Sequence, residues 1–89
     1  MTSITHGMNP EEVEGLGHRL QQIADQVRQL TSELNGRIGS TTWVGPDATR
    51  FKDQWWPEKR ANLHRIADDL HGFGQSALNN AAEQRQVSN

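Results

Sequence analysis

The chain has 89 residues, a formal net charge of −2 from 9 basic and 11 acidic side chains, no cysteine, and 33% hydrophobic residues, against roughly 45–50% (glycine included) in an average globular protein. That length allows one domain at most, and the lack of cysteine excludes a disulfide framework, a thiolate nucleophile and a cysteine-based zinc site. The near-balanced charge argues against general nucleic-acid binding, no apolar run approaches the ~18–20 residues that span a bilayer, and residues 1–10 lack the basic and apolar segments of a signal peptide.

So polar a chain needs help to fold. Oligomerisation or an unusually regular helical seam are the remaining staples for a small scaffold. The seam begins after a polar lead. Asn9-Pro10-Glu11-Glu12 offers an N-cap, a proline suited to the first helical position and a capping-box glutamate. Val13, Leu16, Leu20, Ile23, Val27, Leu30 and Leu34 then alternate at spacings of three and four, followed by Ile38. This heptad stripe predicts a helix over about 10–38 that packs against other helices. Gly15 and Gly17 should weaken its first turns, and Gln21, Gln22, Gln26, Arg28 and Gln29 should face water.

Residues 39–45 carry the breaker residues of a bend, and Gly45-Pro46-Asp47 reads as a second helix start. The second helix is predicted over about 46–84. Ala48, Phe51 and Trp55 give its first apolar face; Leu63, Ile66, Leu70, Phe73 and Ala77 resume it. The stripe slips by about one position between the two halves, with Trp56 opening the second register. Pro57 sits at the slip, so a kink is expected near 53–56. Residues from Asn79 onward are polar, and 85–89 are expected to form a fraying tail.

Two stripes joined by a short bend predict an all-α antiparallel hairpin. A lone hairpin leaves much of each stripe wet, so dimerisation into a four-helix bundle is expected. The core should comprise Val13, Leu16, Leu20, Ile23, Val27, Leu30, Leu34, Phe51, Trp55, Leu63, Ile66, Leu70 and Phe73.

Catalytic chemistry finds little support. His6 and His18 lie in the first half of the chain, and His64 and His71 are seven apart rather than three or four, so no metal pair is expected. Asp68 and Asp69 are neighbours and point about 100° apart. Nucleophile-elbow, phosphate-loop and dinucleotide motifs are missing, so neither an enzyme nor a cofactor is expected. Lys52, Lys59, Arg60 and Arg65 lie beside Trp55 and Trp56, but Asp47, Asp53, Glu58, Asp68 and Asp69 interrupt that basic patch.

The informative feature is Trp43-Val44-Gly45 in the bend between two amphipathic helices. The glycine can take backbone shapes closed to other residues, and the indole is expected to fold over the open end of the seam. Here the chain resembles the WXG family, the small Esx-type substrates of bacterial type VII secretion. The resemblance spans about Met8 to Ser88. Trp43-Val44-Gly45-Pro46-Asp47-Ala48 with Phe51 and Trp55, and Gly74, Leu78, Asn80-Ala81, Gln84 and Ser88 in the ending, look like the actinobacterial members. The resemblance implies a hairpin pairing antiparallel with itself or a related WXG-type protein. It also implies recognition by the type VII secretion ATPase, and export from the cytoplasm to the medium or cell surface, folded and without a cleaved signal peptide. Stable membrane insertion is not expected. Family substrates often carry Tyr-x-x-x-Asp/Glu after the second helix; this chain has no tyrosine. Either a partner supplies that signal, or the tail is read in a divergent way, or the chain is not exported.

Overall fold

A computed structural model describes residues 7–88. His6, the rest of the lead and Asn89 of the expected tail lie outside them. Asn9 starts helix α1 (Pro10–Ser40): its side-chain oxygen accepts from the backbone N–H groups of Glu11 and Glu12 at 3.0 and 3.2 Å, and Pro10 fills the first turn. Thr41 closes the helix, donating from its backbone N–H and its hydroxyl to the Arg37 carbonyl.

The chain turns through residues 41–45 and re-enters helix as α2 (Pro46–Arg50), a π-helical segment (Phe51–Trp55) and α3 (Trp56–Ser88). These three run on without an interruption. The π segment accounts for the slip in the apolar stripe. The Trp56 N–H donates to the Phe51 carbonyl five residues back, so the turn holds one residue more than an α-turn. It lies immediately before Pro57, whose ring would crowd the preceding α-turn and whose missing N–H leaves no bond to give. The helix meets the proline by widening over Phe51–Trp55, in the region where the sequence suggested a kink. At its far end α3 continues to Ser88, beyond the expected limit at 84. Residues after Asn79 pack against α1: Ala81 is fully buried and Arg85 is paired.

The closest approach between α1 and α3 is made by small residues, with part of the predicted stripe half-buried beside them. Gly17, Ala24 and Thr31 on α1, and Ala67, Gly74 and Ala81 on α3, are buried, and each set recurs every seven residues. The backbones cross closely at Gly17 and Gly74. A Cβ on Gly74 would lie 2.7 Å from the Gly17 carbonyl oxygen, and one on Gly17 would lie 2.8 Å from the Gly74 carbonyl. Gly17 is therefore a packing requirement, although its helix propensity is poor. The Thr31 hydroxyl is satisfied within α1 by donating to the Val27 carbonyl.

One flank of this seam is polar. Glu14, Gln21, Arg28 and Asn35, also seven apart, bond across to Arg85, Gln75, Asp68 and Trp56. Gln21 and Arg28, expected to face water, bond across the seam instead. The Arg85–Glu14 pair is bidentate, with both bonds at 3.0 Å. The hydrogen bond and charge of Arg85 hold the Glu14 carboxyl below its ordinary value. A depressed carboxylate stabilises the fold above its unfolded pKa, and that contribution is lost as pH falls through the folded one. Glu14→Gln should therefore lower the melting temperature at pH 7 and leave it unchanged at pH 2, which thermal melts at the two pH values will read.

The other flank carries the stripes. At about 100° per residue the predicted apolar positions fall to one side of both small-residue lines, and antiparallel packing puts them on the same face. The hairpin measures 66 × 17 × 14 Å, and its least dimension is close to the ~10–12 Å of a single helix. Among the described residues, no segment covers that face. Val13, Leu20, Ile23, Val27, Phe51, Leu63 and Leu70 are half-buried; Leu16, Leu30, Leu34, Trp55, Ile66 and Phe73 are exposed. Within one chain, the expected core is thus only partly covered.

Candidate interaction surface

The bend places the sequence motif at one end of this apolar face. Gly45 has φ +119°, a region that side chains disfavour, and its carbonyl accepts the Thr49 N–H to open α2. Lys52 Nζ donates to the carbonyls of Thr41 and Trp43 and so ties α2 back to the turn. Trp43 does not cap the seam as expected. It stays 44% exposed, with its ring 5.4 Å from that of Phe51. Val44 is almost fully exposed. Trp43→Ala should therefore cost the hairpin only about 1 kcal/mol, the worth of one aromatic pair, in a urea melt.

The role expected of Trp55 belongs to its neighbour. Trp56 is buried, and its indole N–H donates to Asn35 Oδ1 at 2.9 Å. Trp55 is half-exposed, stacked on Phe51 at 5.0 Å, with Lys59 Nζ 5.7 Å from its ring centre. The π segment directs the two indoles apart, one into the seam and one onto the open face.

A groove of about 440 Å³ lies on the open face just below the bend. Leu34 and Ile38 of α1 form one wall; Phe51, Trp55, Leu63 and Ile66 form most of the other. Its accessible walls are apolar, and the Lys59 stem contributes to the rim. With no polar group aimed into it, the groove suits an apolar side chain better than a small polar ligand.

The candidate basic patch is largely committed to internal contacts. Lys52 holds the bend, Lys59 lies over Trp55, and Arg65 donates to Asn62. His18, His64 and His71 are all exposed. Among the described residues, no three His, Cys, Asp or Glu side chains are grouped to hold a metal ion, and no helix is long and apolar enough to cross a membrane.

Sequence reasoning found the stripes and the bend but did not place Trp56 in the core or find the small-residue seam. The seven-residue recurrence of Gly17, Ala24 and Thr31, mirrored by Ala67, Gly74 and Ala81, was the available signal. Comparison with known proteins adds no relative: no family model matches the chain, nor does a curated protein or a solved structure.

Proposed function

We propose that this hairpin is a non-enzymatic substrate or export partner of a type VII secretion system, working as a dimer with itself or with a related WXG-type chain. The observation that carries the reading is the pairing of a Trp43-Val44-Gly45 bend with a long apolar face left uncovered. A partner hairpin laid on that face buries both stripes as a four-helix bundle. The bend and the C-terminal turns stay outside for the secretion ATPase. Expression in a host with an intact type VII ATPase, and in its ATPase-null counterpart, tests this. The protein should reach the medium or cell surface only in the first; equal amounts outside both, or outside neither, would refute it.

The missing tyrosine favours a second reading, a helical adaptor that stays inside the cell and uses the same face. Retention in both hosts, together with a stable complex in cell extracts, is its expected result.

A further inference from the structure

The groove below the bend is elongated, and its rim is basic. Along the second helix its wall runs from Trp55 to Ile66, about 16 Å at 1.5 Å per residue. That is longer than any one apolar side chain. The volume of about 440 Å³ falls within the ~300–1,000 Å³ of small-molecule sites.

Two outer lines of side chains border the apolar face, and each changes from apolar to basic towards the bend. On α1 the line is Leu16, Ile23, Leu30 and Arg37; on α3 it is Phe73, Ile66 and Lys59, in steps of seven residues. Lys59 Nζ lies 5.7 Å from the Trp55 ring centre, which holds its charge at the rim. Arg37 is exposed, one turn beyond Leu34 and next to Ile38. Among the described residues, neither Arg37 nor Lys59 forms an ion pair. Glu33 and Glu58, adjacent in sequence to Leu34 and Lys59, do not line the groove. The wider field has the same sign. Residues 24–67, the half of the hairpin that holds the bend, carry seven basic and five acidic side chains, and the remainder two and six. Apolar walls under a positive rim favour an anion with an alkyl tail over an uncharged side chain.

We infer that the groove of the unpartnered hairpin binds a free long-chain carboxylate, its tail along Leu34, Leu63 and Ile66 and its head between Arg37 and Lys59. Burial of the tail supplies the affinity, and the two cations set its direction. The inference stands apart from the secretion reading. Ligand and partner hairpin would use one face, so each excludes the other.

Calorimetric titration of the purified chain with dodecanoate tests this. Binding should saturate at one per chain, with a dissociation constant of about 100 μM or tighter. Octanoate, with the same head and a shorter tail, should bind at least about tenfold more weakly. Dodecyltrimethylammonium, with the same tail and a cationic head, should also lose at least about tenfold. Arg37→Gln combined with Lys59→Gln should weaken dodecanoate binding by about tenfold at low salt, with helicity unchanged because neither side chain is buried. Equal affinity for the anionic and cationic heads, or an unchanged affinity in the double variant, would overturn the inference. So would binding to vesicles of acidic phospholipid without binding to free dodecanoate. If the purified chain self-associates, dodecanoate should shift it towards monomer in light scattering. A chain that neither binds dodecanoate nor dissociates at about 1 mM ligand would overturn the inference in either state.

Discussion

Trp56→Ala should be the most damaging single substitution in the hairpin, with an expected loss of about 3–5 kcal/mol, the usual range for a buried large aromatic. The indole is only 6% exposed, and it closes the seam at the bend end, where Ala48 is the nearest other buried side chain in sequence. Its N–H is also the last rung of the polar flank, on Asn35. Trp56→Phe separates the two contributions. It keeps most of the packing and gives up the hydrogen bond, so about 1 kcal/mol should be lost. Trp55→Ala, one residue earlier, removes a half-exposed ring and should leave monomer stability within about 1 kcal/mol of the parent. Urea denaturation followed by far-UV circular dichroism measures all three. A Trp56→Ala loss under about 1 kcal/mol would mean that the bend end is not anchored in the seam.

Gly74→Ala and Gly72→Ala should move stability in opposite directions, although they are two residues apart on one helix. Alanine favours an exposed helical position over glycine by about 1 kcal/mol. At Gly72 a Cβ meets nothing within 4 Å, so that gain should appear in full. At Gly74 the same carbon would lie 2.6 Å from Gln21 Cγ and 2.7 Å from the Gly17 carbonyl. The Gln21 stem can swing away, but the carbonyl belongs to the α1 backbone, and the helices must part to admit the methyl. Such overpacking costs about 1–3 kcal/mol. Separation here would also loosen Ala67 and Ala81 one heptad to either side, so the upper part of that range is expected and the propensity gain is outweighed. The two variants should differ in melting temperature by about 10 °C, at roughly 4–8 °C per kcal/mol for a domain of this size. A stabilised Gly74→Ala would show that the helices do not cross in contact at this point.

The sequence made the helices and the bend legible because their signals are local. Asn9-Pro10 marks a start, Gly45-Pro46 marks another, and the leucine stripe runs without a break. It did not reveal which line of each helix touches the other. Hydrophobicity ranks Leu16 or Leu30 above Gly17 or Ala24, whereas close approach of two backbones selects for the smallest side chains. The stripe therefore identified a real face, but not the line of closest approach between the helices. The C-terminal turns were misjudged for a similar reason: a polar stretch reads as fraying unless the one buried alanine, Ala81, and the cross-chain pair of Arg85 with Glu14 are already known. The slip at Pro57 was visible, but that the chain takes it up as a wide turn depends on the packing on either side.

That wider turn fixes more than the path of the chain. Because Phe51–Trp55 carries one residue beyond an α-turn, it works as a rotational setting between Ala48 and the rest of the second helix. The same residues wound as a regular α-helix would carry the extra residue forward and turn α3 by about 100° about its axis. Ala67, Gly74 and Ala81 would then swing out of the seam, and the larger residues beside them would be driven against Gly17. The winding of this five-residue segment sets which face of a 33-residue helix looks inward, so straightening it acts on the whole hairpin and not on the turn alone.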